Sequence, residues 1–129
     1  MHFLYTDTDG NETAQEDTGF LLAVLAQPFA CWQSGAGDSA VQVKEDERLI
    51  FFKTARGFFI MQHPDYLAPR IQADETILTH AIGGEPMLVP MSCVCTEDVA
   101  FSILQYYITS GGLLLPAYEW VEFPALTMP

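Results

Sequence analysis

Two cysteines, Cys93 and Cys95, and two histidines, His63 and His80, are the residues whose types best suit chemistry. A Cys-x-Cys pair offers two thiolates to a metal, but zinc sites usually separate paired thiolates by two to four residues. Neither the histidines nor Cys31 lies at a local ligand spacing from the pair. Three cysteines are also an odd number for a disulfide framework. We therefore expect reduced thiols and no metal, with Cys93 and Cys95 acting as small apolar side chains.

Three other segments have compositions that can support chemistry. Residues 63–66, His-Pro-Asp-Tyr, contain an acid and a base, but Pro with Asp is more typical of a turn. Residues 7–12 have the acidic composition of a calcium loop, yet the glycine comes too early and Thr18 stands where the bidentate glutamate belongs. Residues 34–39 are glycine-rich but lack the lysine of a phosphate loop. We expect turns and loops here, with no catalytic residue and no cofactor.

The charge of the chain limits its partners. Seventeen acidic residues against five basic ones give a formal net charge of -12. A protein that binds nucleic acid neutralises roughly 6 to 10 phosphates with Lys and Arg, so five basic residues are too few for direct nucleic-acid binding. An acidic surface instead favours a basic partner, because opposite charge raises the encounter rate. The alternative is that the charge serves only to keep an apolar protein in solution.

The size and composition indicate one domain over residues 1–129. Half of the residues are apolar, too many for a disordered chain. The longest uninterrupted apolar run, residues 20–26, is too short to cross a membrane. Residues 1–10 do not have the pattern of an export signal, so we expect a cytoplasmic protein without a membrane partner.

The spacing of apolar residues predicts an α+β domain with a mainly antiparallel sheet of about five to seven strands and two main helices, in the order β-α-β(n)-α-β. The first helix is expected over residues 12–27, because Leu21, Leu22 and Leu25 share one stripe and Pro28 ends it. The candidate strands are residues 2–6, a strand near Cys31-Trp32, and residues 41–44, 48–54, 57–62, 76–82, 85–89 and 117–123.

Two hairpins stand out among these strands. Ala55-Arg56 and Gly57 indicate a tight turn between residues 48–54 and 57–62. These two strands have no polar face, which predicts that they lie at the centre of the sheet with both faces at least partly covered. Gly83-Gly84 predicts a second hairpin. Pro86 and Pro90 cannot donate to a ladder, so its last strand is expected either to lie at an edge or to be short.

The second helix follows Cys95 directly. Thr96 is a good N-cap, and apolar residues recur at three- and four-residue steps from Val99 to Tyr107. Ser110-Gly111-Gly112 is a typical helix end. Burial of this apolar stripe explains the segment without any chemistry at the cysteines.

The C-terminal third contains three segments that resemble one known family. They are GGEPMLVP (residues 83–90), YYITSGG (residues 106–112) and PAYEWVEF (residues 116–123). Together they resemble the immunity-protein-one family of bacterial polymorphic toxin systems. The resemblance implies a protein without enzyme activity that binds and neutralises a cognate toxin, in this family often a nucleic-acid deaminase.

The resemblance and the charge point in the same direction. A deaminase toxin admits a polyanionic strand, so the mouth of its active site should be basic, and an acidic protein docked there would exclude the substrate. We expect a heterodimer with such a toxin domain. Its docking residues should be acids in the connections, where recognition usually lies, with one aromatic anchor. The candidates are Asp7, Asp9, Glu12, Glu45, Asp46, Glu47, Asp65, Tyr66, Asp74 and Glu75.

Two other classes of function stay open at this point. One is a small enzyme that uses His63 or His80 with a carboxylate. The other is an acidic adaptor that offers the edge of residues 85–89 to a strand of its partner.

Overall fold

The computed structural model describes residues 2–33, 35–82 and 85–122, which form an α+β structure with a mostly antiparallel main sheet and two helices. The predicted class is confirmed, but the described residues contain ten strands rather than five to seven. Two short 3-10 helices, Phe29–Gln33 and Met91–Cys93, complete the secondary structure. The elements are β1 (Phe3–Thr6), β2 (Glu12–Gln15), α1 (Phe20–Leu25), β3 (Ser39–Lys44), β4 (Glu47–Thr54), β5 (Gly57–His63), β6 (Leu67–Arg70), β7 (Ile77–Ile82), β8 (Glu85–Pro90), β9 (Val94–Cys95), α2 (Glu97–Thr109) and β10 (Glu119–Glu122).

The main sheet has the strand order β10-β6-β5-β4-β3-β1-β2, with β9 paired beside β5 and all pairs antiparallel. β4 and β5 lie inside the sheet, which confirms the predicted central hairpin. At its turn the Thr54 hydroxyl donates to the Gly57 carbonyl at 2.8 Å and accepts from the Arg56 amide at 3.0 Å. Gly57 has φ +142°, and a Cβ there would lie 2.6 Å from the Cys95 carbonyl oxygen, so only glycine fits.

Helices cover one face of this sheet and the β7–β8 hairpin covers part of the other. Trp32 is fully buried on the helix side against Phe51 and Phe58, at ring distances of 5.9 and 5.8 Å. On the opposite side His80 of β7 stacks on Phe52 at 5.0 Å. Apolar residues on both faces of β4 and β5 are therefore buried, as the lack of a polar face predicted.

The antiparallel order places the turns at two opposite ends of the main sheet. The β3–β4 and β5–β6 turns share one end, which we call the Glu47 end after the first residue of β4. The β1–β2 turn and the β4–β5 turn share the other, which we call the Asp7 end. This division decides which of the predicted site residues can act together.

The N-terminal third differs from the prediction. Residues 12–15 form the edge strand β2, paired with β1, and the helix occupies only Phe20–Leu25. The predicted helix over residues 12–27 is thus wrong for its first half. Asp7 closes a tight turn that returns the chain onto β1, and the four residues of β2 then satisfy the free edge of β1. Residues 12–15 are mostly polar, so a helix formed from them would have no apolar stripe to bury against the core.

Other boundaries also shifted. Cys31-Trp32 lies in a 3-10 helix rather than a strand, and β6 and β9 come from segments in which no strand was predicted. The hairpin of β7 and β8 forms as predicted, although Gly83-Gly84 lies outside the described residues. The last predicted strand, residues 117–123, corresponds to β10 over Glu119–Glu122, and its predicted end at residue 123 lies outside the described residues.

The second helix was predicted well. Thr96 caps α2 by accepting a hydrogen bond from the Val99 amide at 3.4 Å. Ile103, Leu104 and Tyr107 are fully buried by its packing against the sheet and α1. Within the described residues, no helix is both long and apolar enough to cross a membrane.

Candidate partner-binding site

Half of the predicted site residues lie together at the Glu47 end. Glu45 and Asp46 form the β3–β4 turn, Glu47 begins β4, and Asp65 and Tyr66 belong to the β5–β6 turn. These two turns are separate in sequence and become neighbours because β4 pairs with β5, from Arg48↔His63 onward.

Glu47 is the most constrained of these acids. One carboxylate oxygen accepts from the Tyr107 hydroxyl at 2.9 Å and lies 3.2 Å from Lys44 Nζ. The other oxygen accepts from the side-chain amide of Gln62 at 3.0 Å. Glu47 thereby joins α2, β3 and β5, and its first role is structural rather than partner contact.

The hydrogen bonds set the protonation state of this cluster. Burial alone would raise the pKa of Glu47, but hydrogen bonds from Tyr107, Gln62 and Lys44 outweigh it and hold the pKa below its usual value of 4.5. Burial raises the pKa of Tyr107, and its hydrogen bond to the Glu47 carboxylate raises it further. At neutral pH the pair is therefore a hydroxyl donating to a carboxylate.

Gln62 extends the network to the second turn. It is 2 % exposed, donates to Asp65 Oδ2 at 3.4 Å and accepts from the Asp65 amide at 3.2 Å. A glutamine directly after the apolar residues 58–61 of β5 is the sequence signal that would have revealed this link. Gln62 and Tyr107 were both missed as site residues because their sequence separation gives no local pattern.

Glu45 and Asp46 are exposed and form no ion pair with any other described residue. Asp46 has φ +61° and Tyr66 has φ +59°, a left-handed conformation that few residues other than glycine adopt. Tyr66 is 44 % exposed and its ring lies edge-on to His63 at 5.9 Å. The Glu47 end therefore presents free carboxylates beside an exposed aromatic residue.

A cleft of about 410 Å3 lies beside these turns. Arg48 and His63 are cross-strand neighbours that line it, and both were absent from the predicted binding set. The full lining is Gln42, Asp46, Glu47, Arg48, His63 and Pro64.

The first predicted turn lies at the opposite end of the sheet. Asp7 accepts hydrogen bonds from the amides of Asp9 and Asn11, each at 2.9 Å, and these bonds, led by that of Asn11, lower the pKa of Asp7. Its carboxylate closes its own turn. Asp9 and Glu12 are exposed nearby, so the structure does not bring this group together with the Glu47 end.

The last predicted pair lies in the connection between β6 and β7. Asp74 accepts from the Thr76 amide at 2.9 Å, and hydrogen bonds from the side chain and backbone of Thr76 lower the pKa of Asp74. Arg56 of the β4–β5 turn also favours its ionised form. Asp74 and the exposed Glu75 are therefore associated with the Asp7 end.

The residues with chemical side chains are mostly buried. Cys93 and Cys95 lie in the core, and burial raises the pKa of both thiols, that of Cys95 to about 12. His80 stacks on Phe52 and also contacts the ring of Phe29. Burial lowers the pKa of His80, and its Nε2 has no hydrogen-bond partner among the described residues. The part of the chain that the structure describes contains no group of three or more His, Cys, Asp or Glu suited to a metal.

Neither a scan against protein-family models nor a search of the curated proteins finds a significant match to this chain. Function is therefore inferred from the residues and geometry of the chain itself.

Proposed function

We propose that this protein is an immunity protein that binds and neutralises a cognate bacterial toxin, a nucleic-acid deaminase with a basic surface. The observation that carries the proposal is the Glu47 end, where two turns present carboxylates beside the exposed Tyr66. Glu45 and Asp46 have no internal cation within 4 Å among the described residues, so both carboxylates remain open to an external cation.

Electrostatics supply the mechanism of neutralisation. An enzyme that takes a polyanionic strand needs a positive approach to its active site. A protein of net charge -12 is steered toward such a surface and, once docked, excludes the strand both sterically and by charge. The protein performs no reaction in this role.

The hydrogen-bond network around Glu47 makes the docking surface rigid before binding. The two turns are tied to one another through Gln62 and to α2 through Tyr107. A surface that is already ordered loses less conformational entropy when a partner binds. Tyr66 adds a large aromatic contact with few rotatable bonds, as anchor residues at interfaces commonly do.

The proposal is tested by co-expression with the toxic domain encoded beside this gene. The wild-type protein should restore growth, and the double variant Glu45→Lys/Asp46→Lys should fail to do so. The matched control is Asp9→Lys/Glu12→Lys, which changes the net charge equally at the Asp7 end and should still protect. Equal loss of protection in both variants would show that only the total charge matters, and no protection by the wild-type protein would refute the proposed function.

A second candidate function is supported by the position of His63. It lines the cleft of about 410 Å3 together with Asp46, an arrangement that suits proton transfer. His80 is a weaker candidate because its ring is packed against aromatic rings. Turnover of a small-molecule substrate by the purified protein, lost in His63→Ala but retained in His80→Ala, would favour an enzyme over an immunity protein.

The strand-addition alternative concerns β8, which pairs with β7 in a two-stranded sheet. In that case Leu88→Pro would abolish partner binding, whereas Glu45→Lys/Asp46→Lys would leave the affinity unchanged. The proposed docking at the Glu47 end predicts instead that Glu45→Lys/Asp46→Lys weakens partner binding.

A further inference from the structure

At the Glu47 end, the sheet face turned away from the helices is open among the described residues. Side chains alternate between the two faces of a strand. Val41 and Leu49 are fully buried on the helix side, whereas their neighbours Gln42 and Arg48 project from the other face and are half-buried and exposed, respectively. The β7–β8 hairpin packs on this face farther along β4, where His80 stacks on Phe52.

Two neighbouring clefts lie on this open face, and we call them together the trough. They have volumes of about 410 and 290 Å3 and share Gln42 in their linings. The trough crosses five strands, at Ala14, Leu4, Gln42, Arg48 and His63 in the order β2-β1-β3-β4-β5. With neighbouring strands about 4.8 Å apart, its length is about 19 Å, which matches five or six residues of extended chain.

The two halves of the trough differ in chemistry. Toward β2 the lining contains the apolar residues Leu4, Ala14 and Val43, together with Lys44 and Glu45. Toward β5 every lining residue except Pro64 is polar or charged, with Asp46 and Glu47 beside Arg48 and His63. A segment with apolar side chains at one end and a cation at the other would complement it.

Among the described residues that line the trough, carboxylates without an ion pair outnumber cations without one. Glu45 and Asp46 line it without an ion pair in the described part of the chain. Of the two cations there, Lys44 is 3.2 Å from Glu47, whereas Arg48 forms no ion pair within 4 Å among the described residues, which leaves one guanidinium against two carboxylates. The charge still available to a partner is therefore negative.

We infer that the trough binds an extended segment of the partner protein in which apolar residues are followed by arginine or lysine. The inference rests on the proposed function, since it names the part of the basic partner that docks. A second copy of this chain is a poor occupant, because two proteins of net charge -12 repel one another. The apolar part would bury Leu4 and Val43, and the cationic part would lie against Asp46.

The test uses a synthetic peptide, Leu-Val-Leu-Gln-Arg-Arg, titrated into the isotope-labelled full-length protein and followed by NMR. The amide signals of Leu4, Gln42 and Asp46 should shift, and the same peptide with glutamates in place of its arginines should leave them unmoved. Shifts confined to α2 or to the β7–β8 hairpin, or no shifts at all, would overturn the inference.

A matched pair of variants on β2 separates the trough from general attraction to an acidic protein. Ala14 and Thr13 are adjacent and both exposed, but they lie on opposite faces of the strand. Ala14→Trp fills the trough and should weaken peptide binding by about tenfold or more, a loss of about 1.4 kcal/mol, while Thr13→Trp should change it less than about twofold. Equal affinities of the two variants would refute the trough.

The result is separable from that of the proposed function. Protection of cells by the wild-type protein, with no peptide shift in the trough, would refute the trough alone. A peptide that binds the trough of a protein unable to protect cells from the toxin would refute the proposed function alone.

Discussion

The two ends of the main sheet both carry several carboxylates, but the structure uses them differently. At the Asp7 end, Asp7 and Asp74 accept hydrogen bonds from amides two to four residues away. At the Glu47 end, Glu47 accepts from Tyr107, which is sixty residues away in the chain. Asp7 and Asp74 thus hold their own turns through local amides, whereas Glu47 is held by tertiary contacts. Each end also has exposed acids without an ion pair among the described residues, Asp9 and Glu12 at one and Glu45 and Asp46 at the other.

The largest difference between the two ends should appear in stability. Glu47→Ala leaves the hydroxyl of Tyr107 without its acceptor and removes the shorter of the two hydrogen bonds that the Gln62 amide donates. It should lower the free energy of unfolding by about 1 to 3 kcal/mol. Urea denaturation measures this change. Glu45→Ala, at the exposed position two residues earlier, is the control and should change stability by less than about 0.5 kcal/mol. Equal losses in the two variants would contradict the network.

The rate of partner binding should depend on ionic strength, and the Glu47 end should contribute more to this dependence than the Asp7 end. The proposed association with the toxin domain is steered by exposed carboxylates, so the association rate should fall by about tenfold between low and high salt. Stopped-flow fluorescence measures this dependence. Glu45→Gln/Asp46→Gln should flatten the salt dependence, whereas Asp9→Gln/Glu12→Gln should leave most of it. An association rate independent of salt would count against electrostatic steering.

Acid should weaken the Glu47 network in a defined direction. The pKa of Glu47 is lower in the folded protein than its ordinary 4.5, so its stabilising contribution is complete above that value and is lost as the pH falls through the lower, folded-state pKa. Measured between about pH 6 and pH 3, the wild-type protein should lose more stability than Glu47→Gln, which cannot titrate there. Parallel losses in both proteins would show that Glu47 does not contribute to the acid response.

The smallest effect is expected at the Asp7 end. Asp7→Ala removes the acceptor for the amides of Asp9 and Asn11 in an exposed turn. Hydrogen exchange at these two amides should accelerate, while exchange in β4 and β5 stays unchanged. Faster exchange throughout the sheet would mean that this turn supports the fold as much as Glu47 does.

Elements that depend on interactions between near neighbours in the sequence were predicted correctly, and elements that depend on distant residues were missed. The hairpin of β4 and β5 and the helix α2 were predicted because a tight turn and an N-cap act over a few residues. β2 and β6 were missed because their stability comes from pairing with β1, β5 and β10. Each has only four residues, too few to show a periodicity of its own, and β6 contains a proline. The same reason explains the error over residues 12–27, where helix-compatible residues pair as an edge strand.

The predicted site residues lie at two separate ends of the sheet for a related reason. Each acidic turn was identified from its composition, but composition gives no information about which turns meet. Strand order placed Asp65 and Tyr66 beside Glu45 and Asp46, and placed Asp7 at the opposite end. The role of Glu47 was hidden because its partners Gln62 and Tyr107 lie on other elements.

The sequence by itself determined the charge of -12, the central hairpin and the capped helix, since each depends on composition or on contacts between near neighbours. Only the tertiary structure decided which carboxylates stay free, which one is held by α2, and where an open face lies beside them. Those properties depend on the order and direction of strands, which arise from contacts between residues far apart in the chain.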